Sequence, residues 1–120
     1  MESILTSIKE MLGIAEEYAH FDNTIIAHIN SEFFVLWQNG VGPAECFKIT
    51  SDEQTWHDFL GESNDYETVK TYIYRKVKAN FDPPTSSFVM DAMKRQSDED
   101  LWRLNLQAEL EGMNNGNDEA

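Results

Sequence analysis

Between Tyr66 and Phe81 the apolar residues return every third or fourth position: Tyr66, Val69, Tyr72, Ile73, Val77 and Phe81. That spacing gathers them on one side of an α-helix, the side that must be buried. Lys70, Arg75, Lys76 and Lys78 occupy the other side, four of the nine basic residues in the chain. Asn64 or Asp65 is the expected N-cap. Asp82 precedes a proline, and Pro83–Pro84 supply no backbone donors, so the helix must stop and the chain must turn.

The other elements follow the same logic. Ile4, Leu5, Ile8, Met11 and Leu12 predict a short first helix over Ser3 to Leu12, ended by Gly13. Three turns are marginal alone, so it must dock on something. Asp22 or Asn23 caps a longer helix reaching about Asn39, with Ile26, Ile29, Phe33, Leu36 and Trp37 facing inward. Ile25, Phe34 and Val35 lie partly off that stripe, a width that fits either a central place in a small bundle or burial on two sides. Residues 41–61 are the least periodic. Phe47 to Thr50 alternates like a strand, and Thr55 to Phe59 is the expected hairpin partner across Ser51–Gln54. Ser51 and Gln54 also have capping-box spacing, which would start a short helix instead. After the prolines, Thr85, Ser86 or Ser87 caps a last helix, apolar at Phe88, Val89, Ala92 and Met93. Lys94 to Asp100 then runs without an apolar residue, so this helix is either solvent-bridging or interrupted there. Leu101, Trp102, Leu104, Leu106 and Leu110 restore apolar character. Residues 101–111 are therefore expected to project from the core, with Trp102, Leu106 and Leu110 the candidate partner-binding residues. The fold class is mainly α: about four helices with a short β-hairpin between the second and third. One domain is expected over 1–111, and 112–120 reads as a polar, flexible tail.

Composition narrows the function. With 120 residues and 41% apolar content, the chain makes one globular domain. No apolar run approaches the ~20 residues that cross a bilayer, so no membrane partner is expected. Acidic residues near the N-terminus argue against an export signal. The formal charge of −13 argues against a phosphate-binding surface, which needs clustered cations. It fits a solvated surface, a mimic of DNA's charge that blocks a DNA-binding enzyme, or a surface that lies near DNA without holding it. Ten acids and two bases fall in residues 1–61, against three acids and four bases in 62–81. Such a chain is suited to head-to-tail association, with Lys70, Arg75, Lys76 and Lys78 as the candidate self-assembly residues. Exposed pairs give only ~0.2–1 kcal/mol each and would set register more than affinity.

Catalytic signals are missing from the sequence. His20, His28 and His57 have no metal-site spacing, and the single cysteine, Cys46, lacks a basic or helix-start setting. Glycine-rich phosphate loops are absent, and carboxylate pairs such as Glu16/Glu17 lack apolar surroundings to shift a pKa. No cofactor is expected, and no enzymatic activity.

Five segments, in order, resemble one family: SILTSIKEMLGI near the start, HFDNTIIAHIN at 20–30, NGVGP at 39–43, TVKTYIYRKVKANFDPPTSS at 68–87, and MKRQ with LWRLN at 93–96 and 101–105. They are similar to the head–tail connector (adaptor) proteins of long-tailed double-stranded DNA bacteriophages and prophages, over about residues 1–106. The resemblance implies a small helical domain with a short hairpin, assembled as a ring of twelve copies in the virion neck. It implies a portal protein above, a stopper or head-completion protein below, and genomic DNA passing through without specific binding. On that reading the projecting C-terminal segment docks on the portal, and the 41–61 segment faces the next neck protein or the channel. In the family an apolar residue lies near each of Ser97 and Asp100. Both are polar here, which leaves the continuity of the last helix open.

Overall fold

The helix from Tyr66 to Phe81 is the one the others are built on. The structure is a computed structural model that describes residues 2–61 and 66–119, with side chains described as far as Glu111. Five helices lie among the described residues: α1 (Ile4–Met11), α2 (Asp22–Gln38), α3 (Trp56–Leu60), α4 (Tyr66–Phe81) and α5 (Ser87–Glu119). The expected cap at Asn64 or Asp65 and the side chains of the 112–120 tail lie outside the described residues. α4 contacts α1, α2 and α5, and α2 and α5 both run antiparallel to it.

Val69, Tyr72, Ile73 and Val77 of α4 are fully or almost fully buried, as their spacing predicts. They meet Ile25, Ile29, Phe33 and Leu36 of α2 and Ile4, Leu5 and Ile8 of α1. Each such side chain stabilises the fold by ~1.5–3 kcal/mol relative to exposure, so this three-helix seam dominates the core. α1 starts where Ser3 accepts a hydrogen bond from the Thr6 N–H (3.2 Å) and ends just before Gly13, whose φ of +79° favours glycine.

The N-cap of α2 is Phe21, whose side chain accepts nothing, so the expected cap at Asp22 or Asn23 does not form. Both residues stand inside the helix, and the Asp22 carboxylate is used elsewhere. It pairs at 2.8 Å with Lys9, whose ammonium also donates to the carbonyls of Glu16 (2.9 Å) and Tyr18 (2.8 Å). A lysine 2% exposed is tolerated only with its donors satisfied, and Lys9 thereby fastens the 13–21 loop to both α1 and α2. The inward stripe of α2 is Ile25, Ile29, Phe33 and Leu36, which corrects the expectation for Trp37 and for Ile26, since Ile25 is fully buried and Ile26 only half-buried beside it. Trp37 is 41% exposed, lies beside Phe34, and donates its indole N–H to the Ala44 carbonyl (2.9 Å). Leu36 takes the core position, and the next residue round the helix clasps the following turn instead.

The expected β-hairpin in 41–61 is not there: no strand occurs among the described residues. The alternation of Phe47 and Ile49 is real, since Phe47 packs on Phe33 and Phe59 and Ile49 is buried. Its backbone partner, however, is a side chain. Asn30 of α2 accepts from the Ile49 N–H (2.8 Å) and donates to the Ile49 carbonyl (3.0 Å), which fills both sites a second strand would use. Gln54 closes the intervening turn by accepting from the N–H groups of Thr50 and Ser51, so Ser51 and Gln54 start no helix. The capping box belongs to Thr55 and Asp58, which open α3. α3 drives Trp56 and Phe59 into the core, and the Trp56 indole N–H donates to Ser7 Oγ (2.8 Å). The sole extended pairing at Thr55 is a single antiparallel bridge to Ser3. Gly42, at φ +99°, lies where a Cβ would come within 2.4 Å of the Phe59 ring.

Candidate functional site

α5 is one helix from Ser87 to Glu119, unbroken through the polar run at 94–100. Ser86 caps its start by accepting from the Val89 N–H (3.3 Å). Ser97 and Asp100 hold the positions that face α4, 3% and 6% exposed, in line with buried Leu104. Asp100 accepts from Arg75 of α4 and from Gln96 (3.1 Å). The Asp100 side chain is 8% exposed and that of Arg75 25%. An ion pair with little water around it thus stands where an apolar contact would otherwise join the two helices. Further along, Asn105 donates to the Asn39 carbonyl at the end of α2 (2.9 Å), and Ala108 lies against Gly40. Residues 101–108 therefore do not simply project, because their inner face seals the core.

The outer face of the same helix is bare. Phe88 is 75% exposed, Trp102 63%, Leu106 39% and Leu110 46%. At ~100° per residue, Phe88, Trp102 and Leu106 fall on the side away from Leu104, with Leu110 beside them. All three residues expected to bind a partner thus lie on one exposed, mostly apolar stripe. Arg103 and Glu99, paired at 2.6 Å, border it. Phe88 lies on the same outer side but is set apart from Trp102 by the intervening charged residues Arg95 and Glu99. Phe34 and Trp37 on α2 form a second, smaller exposed aromatic pair.

The four basic residues of α4 do not act as one free ridge. Lys70 pairs with Glu2 at 2.7 Å, and Tyr66 donates to the same carboxylate oxygen. These two donors hold the Glu2 carboxyl below the usual range. Arg75 is tied to Asp100, and Lys78 to Asp82 at 2.7 Å. Lys76 makes no ion pair among the described residues. Instead it lines a cavity of about 370 Å³ between α4 and α5, together with Arg75, Lys94 and Met93. Behind it, Glu32 of α2 is 7% exposed and accepts from the Tyr72 hydroxyl (3.3 Å). Burial raises the Glu32 pKa, with Lys76, Tyr72 and His28 opposing. Burial and the neighbouring Glu32 push the Tyr72 hydroxyl up in turn.

No group of three or more His, Cys, Asp or Glu among the described residues is placed to hold a metal, and no helix is long and apolar enough to cross a membrane. Cys46 is half-buried and free. What the described residues offer is surface: a helical bundle whose last helix closes the core with one face and leaves the other uncovered, the form of a small interaction subunit. The family model for phage connector proteins matches residues 4–111, from the first residue of α1 to the end of the described outer stripe, and the chain belongs to that family. Neither curated proteins nor solved structures give a match.

Proposed function

We propose that this chain is a structural subunit of the phage neck, which assembles as a ring, twelve copies by the family resemblance, between the portal and the stopper or head-completion protein. The genome passes through the ring, and the chain's formal charge of −13 keeps phosphates from being held there. No reaction is performed; the work is done by shape and contact. The observation that carries this reading is the two-faced α5, with Ser97, Asp100 and Leu104 turned to the core and Trp102, Leu106 and Leu110 left outside. A stripe of that kind fits a partner's groove, with the tryptophan as its anchor. The portal is the partner assigned to it.

The test mixes the purified chain with purified portal particles and follows mass by light scattering. Association is expected at micromolar concentration, and it should be lost in Trp102→Ala/Leu106→Ser. Both residues are exposed, so the variant's folding stability should change by no more than ~0.5 kcal/mol each. A wild-type chain that never associates with portal, or a double variant that still does, counts against the assignment.

A further inference from the structure

We propose that the groove between α4 and α5 receives the acidic 41–58 segment of a second copy of this chain, an inference that rests on the ring reading above. The groove, of about 370 Å³, is lined by Arg75, Lys76 and Ala79 of α4 and by Met90, Met93 and Lys94 of α5. Its walls are thus partly apolar, and the methionines can adjust to an incoming side chain. Its charge is the stronger signal. Lys9, Lys70, Arg75, Lys78 and Arg103 are all tied to carboxylates of their own chain. Four bases have no ion pair among the described residues, Lys48, Lys76, Lys94 and Arg95, and two of them, Lys76 and Lys94, line this one groove. Asp98 at its rim and, more distantly, Glu32 temper the two ammonium groups without closing a pair with either. Two uncommitted cations beside an apolar wall, in a chain of formal charge −13, are suited to carboxylates arriving with apolar neighbours.

The position of the acids selects the occupant. Glu45, Asp52 and Glu53 are exposed and without an ion pair among the described residues. Their segment is anchored by Phe47, Trp56 and Phe59, with Trp56 against Tyr66 at the start of α4. The groove lies toward the other end of α4, at Lys76 and Ala79. Glu16 and Glu17 are excluded by the same geometry, since Phe21 ties their loop to Phe81 at the groove's own end. A head-to-tail contact needs its two surfaces at different ends of the subunit, and the 41–58 acids satisfy that. Glu67 at the start of α4 lies at that end too but is a single carboxylate, and Glu109 and Glu111 flank the stripe given to the portal, whereas Glu45, Asp52 and Glu53 share one segment.

The experiment mixes unlabelled and nitrogen-15-labelled chain, adding portal if the free chain is monomeric, and joins amines to contacting carboxylates with a carbodiimide. Mass spectrometry is expected to find mixed-isotope peptide pairs linking Lys76 or Lys94 to Glu45, Asp52 or Glu53. Lys76→Glu and Lys94→Glu should each weaken self-association ~10-fold or more. Lys94→Glu should keep its melting temperature and Lys76→Glu should lower it, because Lys76 offsets the buried Glu32 carboxylate. Lys48→Glu makes the same change in net charge inside the acidic segment and removes no contact, so it should weaken self-association far less. Links confined to one isotope, links to portal alone, lysine variants that assemble like wild type, or an equal loss in Lys48→Glu would each overturn the proposal. If the folded wild type fails to self-associate even on portal, the ring reading falls. If it assembles and the lysine variants assemble equally well, the groove assignment falls alone.

Discussion

Glu32 shows how one residue of this protein trades stability against charge. Its carboxyl is 7% exposed between α2 and α4, and burial lifts its pKa above the ordinary 4.5 despite Lys76, Tyr72 and His28. A folded-state pKa above the unfolded one means that the folded chain binds the proton more tightly. The ionised form therefore costs stability at neutral pH, and this cost disappears as pH falls below the unfolded value. Glu32→Gln keeps an acceptor for the Tyr72 hydroxyl and removes the charge. It is expected to be more stable than wild type at pH 7, with the gap closing toward pH 4; urea denaturation at pH 7, 5.5 and 4 measures this. A gap independent of pH would mean that the carboxylate is not the cause. Spacing alone exposed none of this. A lone glutamate beside Phe33 reads as solvent-facing until Tyr72 and Lys76 are brought beside it. The same holds for Asn30, whose amide takes the place of a strand, and for Lys9, whose three acceptors lie on a loop and a helix seven to thirteen positions away.

At the scale of elements, α4 was legible in the sequence and α5 was not, for one physical reason. The apolar residues of α4 share a face, so the 3.6-residue period is clear and the buried set follows from it. Those of α5 lie on two opposite faces, Leu104 inside and Trp102 with Leu106 outside, and their periodic signals cancel. The run from Lys94 to Asp100 looked polar all round because two of its residues, Ser97 and Asp100, take core positions with polar side chains. Arg75 makes that tolerable. Removing Arg75 strands a carboxylate that is 8% exposed, whereas removing Asp100 leaves a guanidinium that still reaches water at 25% exposure. Arg75→Met is therefore expected to cost ~3 kcal/mol and Asp100→Leu about half as much, while the double variant stays within ~1 kcal/mol of wild type. Urea denaturation of the four proteins gives the coupling directly. Purely additive losses would show that the two side chains do not hold α5 on α4.

For the whole molecule, the formal charge of −13 opposes the assembly that the contact surfaces favour. Copies approaching one another repel over long distances, whereas pairs at Lys76 and Lys94 would attract at contact. Salt separates the two effects, because the screening length shrinks from ~30 Å at 0.01 M to ~10 Å at 0.1 M. Charges spread across a subunit lie farther apart than that shorter length and are largely screened, while partly desolvated contact pairs are screened much less. Self-association is therefore expected to strengthen as salt rises through this range and then to level off, which sedimentation velocity can follow. Lys76→Glu should lie below wild type at every ionic strength, since it both deepens the repulsion and removes a contact. Portal docking through Trp102, Leu106 and Leu110 depends on apolar burial and should persist when salt is raised further. An association that only weakens with salt would reverse the ranking, making contact pairs the driving force and net charge a minor opponent.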